Sequence, residues 1–372
     1  MDRSLSFPFS VDEKATKGEG AYALPRKAFR GAVTSADAYR ATRAAVRLEG
    51  DTLRIGNRFV PVARYREIAF IAAGNAATSQ ALAVVRGLGS RLTQGFVAGP
   101  EAAPPEIPFR SVRVPRGLPG TREGTEAAGL ALELAGGLGA GDLLIVLLSG
   151  GAAGALALPD PKTTPPDPAT WLSAVRSAGA SSRELALAEA VAFGGGLDGG
   201  LAGAAGRAEV QPIVIDRGDG GELVGGSPTR RLTPTERGLA EVALVRAVTH
   251  GVLPDLSSQG PSSVGRAERP ALSANVARPV VVAGPEDALR GAADAVGEKR
   301  FLPRLAARAF AGGPEAVAER FLERLDELLR VEAGSLRTGD REGLVAFASA
   351  TLDVPEGLDE RPAIRRFLAS AR

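Results

Sequence analysis

The sequence predicts an α/β protein: a mostly parallel sheet with helices on both faces, followed by a smaller C-terminal α/β domain. Three observations predict it. Short apolar, β-rich runs alternate with helical segments from residue 67 onward, which is the pattern of strands joined by helical crossovers. The strongest runs, residues 67–73 (EIAFIAA) and 142–148 (DLLIVLL), are apolar on consecutive positions, as strands covered on both faces must be. Finally, 372 residues exceed the roughly 250–300 at which one core stops growing.

Taken in order, residues 1–30 are polar and irregular and read as an N-terminal arm. Residues 34–48 are helical by composition, with Ser35 as N-cap. Residues 51–55 and 58–62 alternate apolar and polar positions around Gly56-Asn57, a short hairpin. The run at 67–73 stops at Gly74, and a helix follows over 76–88, ending at Gly89. Residues 107–114 are extended, and a helix over 122–134 is stopped by Gly136-Gly137. After the strand at 142–148, Asp167-Pro168 opens a helix, with Asp as N-cap and Pro at the first helical position. A further helix over 182–193 runs into the glycine-dense stretch 194–200. Residues 210–216 (VQPIVID) form a strand and 233–248 a helix. Residues 31–250 are therefore one domain.

Residues 251–277, rich in Ser, Pro and Gly, read as a linker. Beyond it, 278–372 form the second domain. It holds a strand at 279–283, a helix at 286–296 and an amphipathic helix at 314–329, with Val317, Phe321, Leu325 and Leu328 on one face. Two short strands, 344–349 and 352–354, and a last helix complete it. No internal repeat is visible.

Composition excludes several functions. The chain has no Cys, so disulfides and thiolate metal sites are ruled out, and with a single His, His250, a His-rich metal site or a His-dependent triad is nearly excluded. His250 follows a helix and reads as a C-terminal cap, and Trp171 reads as core. The net charge is +2, and basic residues, nearly all Arg, are interleaved with acids. That pattern disfavours nucleic acid as a partner. The apolar stretch 143–158 is broken by Ser149-Gly150-Gly151 and falls short of the roughly 18–20 residues a spanning helix needs. With no apolar leader, the expectation is a cytoplasmic protein without membrane contact.

Ligands bind open α/β sheets outside the C-terminal strand ends, and three such ends are unusual here. At Ser149-Gly150-Gly151-Ala152, glycines after a buried strand turn backbone N–H groups toward one point, an anion cradle; plain tight-turn packing needs the same residues. Asp216 and Asp219 offer two carboxylates for Mg²⁺, or a solvated Asp-Gly turn. The loop through Ser227 and Thr229 brings backbone near a ligand, or is a rigid turn. Hydride transfer has no support: no Gly-x-Gly-x-x-Gly follows a first strand, and Gly87-Leu88-Gly89 lies at a helix end.

In order, these motifs resemble the class II glycerate 2-kinases, whose Rossmann-like N-terminal domain precedes a smaller domain called MOFRL. The resemblance implies transfer of the γ-phosphoryl of ATP to D-glycerate with Mg²⁺, and ATP and Mg²⁺ as cofactors if activity persists. Gly74-Asn75-Ala76-Ala77 matches the family's Gly-Lys-Ala-Ala, with Asn75 in place of the lysine. Gly117-Leu118-Pro119 matches its Gly-His-Pro, with Leu118 for the histidine. Ser149-Gly150-Gly151-Ala152-Ala153 keeps the glycine turn and loses the second hydroxyl, and residues 187–200 lack the basic side chains. Asp216-Arg217-Gly218-Asp219-Gly220 keeps two of three acids, and Gly226-Ser227-Pro228-Thr229 matches Ser-Gly-Pro-Thr. The second domain resembles a shortened MOFRL.

The resemblance thus implies a catalytic set of Asp216, Asp219 and Asn75, and a phosphate or substrate contact set of Gly74, Ser149, Gly150, Gly151, Ala152, Ser227 and Thr229. Mg²⁺ would rest on Asp216 and Asp219. The lost groups all served phosphate charge, so weak or absent kinase activity is expected. The alternatives are a phosphotransferase with a rearranged site and a non-catalytic partner of a complete paralogue. The expected partners are a glycerate-like or nucleotide ligand and, in solution, a homodimer or a heteromer with that paralogue.

Overall fold

The structure is a computed structural model. It describes residues 23–116, 119–158, 168–216, 227–249, 275–296, 301–312, 314–337 and 343–352. The chain divides into two compact units.

The larger unit is built on six parallel strands: β4 (Ile68–Ala73), β5 (Gln94–Gly99), β6 (Arg110–Arg113), β7 (Leu143–Leu148), β8 (Glu209–Ile215) and β9 (Val280–Ala283), in the order β6-β5-β4-β7-β8-β9. Counted within the sheet this is 3-2-1-4-5-6, two mononucleotide-type halves wound outward in opposite directions. The fully buried runs of β4 and β7 occupy the middle and pair along their whole length, from Ile68 opposite Leu143 to Ala73 opposite Leu148. That position follows from composition, since central strands are covered on both faces.

Strand alternation sends the side chains to two cores. Ile71, Phe96, Leu144, Val146 and Val214 face α4 (Arg122–Gly136), α5 (Ala152–Leu156), α6 (Pro168–Ser177), α7 (Ser182–Ala192), α8 (Gly200–Ala204) and α9 (Pro234–Thr249). On the other face, Ile68, Phe70, Val97, Ile145 and Ile213 pack on α3 (Ala77–Leu88) and on a three-stranded antiparallel sheet. That sheet consists of β1 (Val46–Glu49), β2 (Thr52–Ile55) and β3 (Arg58–Pro61). The mostly parallel α/β fold with helices on both faces is therefore as read from the sequence.

The smaller unit contains α1 (Ala23–Ser35), α10 (Pro285–Val296), β10 (Phe301–Gly312), α11 (Pro314–Arg337) and β11 (Gly343–Leu352). β10 and β11 pair in parallel, joined by α11. Helices α1 and α10 meet backbone to backbone at Gly31 and Gly291, where a Cβ on either residue would overlap the other helix.

Several expectations need correction. The arm at 1–30 overlaps a helix, since α1 begins at Ala23. The single helix expected over 34–48 is divided. Asp37 takes up extended geometry and accepts the Arg40 N–H at 2.7 Å, capping α2 (Ala38–Ala45), and the chain then leaves as β1. A strong N-cap inside a helical stretch starts a new helix. The strand expected at 279–283 as part of the second domain is instead the sixth strand of the large sheet. Strands β5 and β10 are absent from the sequence-based expectation, and β11 runs unbroken over 343–352 where strands at 344–349 and 352–354 are expected, residues 353–354 lying outside the described ones. The linker residues 251–274, His250 and the last twenty residues lie outside the described ones.

Helix α7 shows how local chemistry sets a boundary. Ser181 and Glu184 form a reciprocal capping box, and Glu184 also pairs with Arg246 of α9 at 2.7 Å. Removing the hydroxyl orphans the N–H of Glu184. Ser181→Ala is expected to lower stability by about 1 kcal/mol, read as a shift in urea midpoint at unchanged slope. An unchanged midpoint would show that the box contributes nothing.

Candidate functional site

The sheet order reverses between β4 and β7, and this switch point is where a doubly wound sheet opens a crevice for ligands. Both expected turns lie there. β4 ends at Gly74, whose φ of +108° no side-chain-bearing residue adopts comfortably. β7 ends at Ser149, followed by Gly150 and Gly151, the latter at φ +84° as N-cap of α5.

The two turns are stitched together. Asn75 donates its N–H to the Gly150 carbonyl at 2.7 Å, and Ser149 donates its N–H to the Ala73 carbonyl at 3.1 Å. Ser149 Oγ accepts the N–H of Ala76 at 3.0 Å and donates to the Ala73 carbonyl at 3.4 Å. Ala76, the N-cap of α3, has no side-chain acceptor of its own, so a residue 73 positions away caps this helix. At 2% exposure, Ser149 spends its hydroxyl on the fold. Gly74 is required for the approach: a Cβ there would stand 2.6 Å from both the carbonyl oxygen and Oγ of Ser149.

Two donors are left over. Among the described residues, the N–H groups of Gly150 and Gly151 make no hydrogen bond within the protein. Gly151 is exposed, and a Cβ built on it would meet the Asn75 side-chain oxygen at 3.1 Å, so the exposed Asn75 amide stands beside these donors. The junction can present two N–H groups and one neutral amide to an anionic group. Such donors fit a phosphate or carboxylate oxygen. Among the described residues, no cation is hydrogen-bonded at the junction to balance a triphosphate.

Asp216 follows β8, next to β7 on the same edge of the sheet and about 10 Å from β4 by strand spacing. It is partly exposed, and its N–H binds the Ala283 carbonyl at 2.8 Å. Asp219 and residues 117–118 lie outside the described ones. Among the described residues, no group of three or more His, Asp or Glu is placed to hold a metal ion.

Ser227 and Thr229 are buried in a different set of contacts. The Ser227 carbonyl accepts the N–H of Gly199, and the Pro228 carbonyl accepts those of Leu201 and Ala202. The glycine-dense stretch 194–200 therefore seats α8 against this loop. Ala152 is buried at the start of α5.

Beside that loop lies a polar network the sequence reading missed. Glu236, with its side chain 8% exposed, takes two hydrogen bonds from Arg230 (2.9 and 2.7 Å) and one from the Thr233 N–H at 2.8 Å. These hold its carboxyl down at about 2, mainly through Arg230 and against the cost of burial. Asp198, at φ +49°, accepts from the Leu232 N–H at 2.6 Å and pairs with Arg237. The spacing Thr233-x-x-Glu236 was the available signal for the first, being a capping box in outline.

Sheet order and turns together define the class: a doubly wound nucleotide-type α/β protein with glycine-turned strand ends at its switch point. The chain belongs to the family described as "Domain of unknown function (DUF4147)", which matches residues 24–236, more than half its length; this is the glycerate kinase family that the motifs resemble. Two solved structures share the fold. A glycerate kinase from Thermotoga maritima is 18% identical, with a TM-score of 0.69 over 94% of this chain and 78% of that one. The PH0495 protein from Pyrococcus horikoshii OT3 is 17% identical, with a TM-score of 0.66 over 89% and 75%. No curated protein matched the chain. Among the described residues, no helix is long and apolar enough to cross a membrane.

Proposed function

We propose that this glycerate-kinase-like protein binds a small anionic ligand of the glycerate or nucleotide kind at the β4–β7 switch point and transfers phosphoryl groups weakly or not at all. One observation carries the reading: the junction keeps its glycine geometry and two free N–H donors, while Asn75 stands where the family places its lysine. Phosphoryl transfer is almost entirely positioning and stabilisation of phosphate charge. The loss of a single such donor commonly costs about 10²–10³ in rate.

In this reading Gly150 and Gly151 hold the anionic end of the ligand and the Asn75 amide orients it. Asp216, with Asp219, would hold Mg²⁺ where ATP binds; the ion would supply charge neutralisation for the phosphates. Among the groups assigned to the ligand, Ser149 contributes indirectly, by fixing the junction.

The test is an assay with ATP, Mg²⁺ and D-glycerate. Turnover is expected below about 0.1 s⁻¹, against the 1–100 s⁻¹ usual for kinases. Turnover in that usual range would overturn the reading. Asn75→Lys is expected to raise the residual rate, because it returns a cation beside the free donors.

A further inference from the structure

We propose that a second ligand site, for a small molecule bearing a carboxylate or phosphate group, lies in the large unit at the opposite end of the sheet. A cavity of about 480 Å³ opens there, at the N-terminal ends of β7 and β8. The size falls within the range of small-molecule pockets, about 300–1,000 Å³. Three arginines, Arg58, Arg64 and Arg207, and two acids, Asp142 and Glu209, line it along with Tyr65.

The acids are already neutralised. Asp142, its side chain fully buried, takes both bonds of the Arg66 fork (3.0 and 2.7 Å) and the Gly139 N–H at 2.8 Å. The Arg66 bonds hold its carboxyl below the usual range. Glu209 accepts from Arg58 at 2.7 Å on one oxygen and from the Tyr65 hydroxyl at 3.0 Å on the other. Burial, and then Glu209, push the Tyr65 hydroxyl up, so it stays protonated as a donor.

Two guanidinium groups are then in surplus. Arg64 reaches Glu209 only at 3.6 Å, is 62% exposed, and stands over the Tyr65 ring with its guanidinium carbon 5.9 Å from the centroid. Among the described residues, the Arg207 guanidinium forms no hydrogen bond or ion pair. The backbone around it is fixed, since Asn275 donates its side-chain amide to the Arg207 carbonyl at 2.7 Å. Surplus positive charge in a concave, part-buried setting favours an anion, and paired guanidinium forks suit the planar or tetrahedral oxygens of a carboxylate or phosphate. Val276 and Ala277 give the wall an apolar portion for a short carbon body. None of these residues belongs to the switch-point junction, so the site stands or falls independently of the proposed function.

Inorganic phosphate and succinate, titrated separately into the full chain and followed by melting temperature, test the site. At least one is expected to raise the melting temperature saturably, since binding to the folded state must stabilise it. Phosphate alone would identify a phosphate-bearing ligand, and succinate alone a carboxylate. Arg207→Ala is expected to weaken that binding at least tenfold, and Arg64→Ala to weaken it further in the double variant. Both side chains are exposed enough for the variants to fold. The absence of saturable binding by either anion would overturn the proposal. So would binding that survives both arginine changes but is lost in Asn75→Asp, which would place the anion at the switch point instead.

Discussion

Gly74→Ala is expected to destabilise the large unit by about 3–5 kcal/mol, the sum of a forbidden backbone conformation and an overpacked junction. Two independent penalties meet at this residue. Its φ of +108° excludes comfortable L-residue geometry, and the added carbon would sit 2.6 Å from two oxygens of Ser149 and 2.9 Å from the Gly150 carbonyl oxygen. None of these atoms can retreat cheaply: Ser149 Oγ and the Gly150 carbonyl accept the N–H groups of Ala76 and Asn75 across the junction, and the Ser149 carbonyl accepts the Ala152 N–H that opens α5. Gly50→Ala separates the terms: φ there is +61°, but nothing lies within 4 Å of the new carbon. It is expected to cost only about 1–2 kcal/mol. Equal losses for the two variants in urea unfolding would show that the junction is not tightly packed.

Acid is expected to weaken the fold through Glu236. Its carboxyl titrates at about 2 in the folded chain, against an ordinary value of 4.5. The unfolded chain therefore takes up the proton first as pH falls. The stabilisation is complete above about 4.5, declines below it, and is gone once pH passes 2. A shift of this size corresponds to about 3 kcal/mol at neutral pH, most of it from the Arg230 pair and the Thr233 bonds. Glu236→Gln keeps the shape but removes the charge, so its stability should fall less steeply than wild type between pH 5 and pH 3. Chemical unfolding at pH 7, 5 and 3 measures both proteins. Parallel curves would rule out Glu236 as the titrating group.

What could be read from the sequence was set by how local the cause was. Strands β4 and β7 announce themselves, since six consecutive apolar residues have few other uses. Helices α3, α4 and α7 carry glycine or capping residues at their ends. Strand β5, with Gly95 and Gly99 among six residues, has too little apolar pattern to be distinguished from a loop. Strand β10 contains Pro303 and two arginines, Arg304 and Arg308, four residues apart, which breaks the alternation a strand would show. In the candidate site, composition located the glycine turns. It did not reveal that the Ser149 hydroxyl is committed to Ala76, because that bond spans 73 residues. Nor did it reveal the pairing of Asp198 with Arg237, 39 residues apart. Carboxylates and guanidinium groups look alike in a sequence whether they neutralise each other or face solvent.

The late arrival of β9 has a consequence for dissecting this protein. Its backbone shields the outer rim of β8, where Ile213, Val214 and Ile215 would otherwise offer open amide and carbonyl groups. A fragment cut after residue 250 would keep five of the six parallel strands and a bare flank, ready to recruit another polypeptide. Autonomy in this molecule is not an interval that ends at the linker: the guard strand is translated after the other five strands of its sheet and protects what was made long before it.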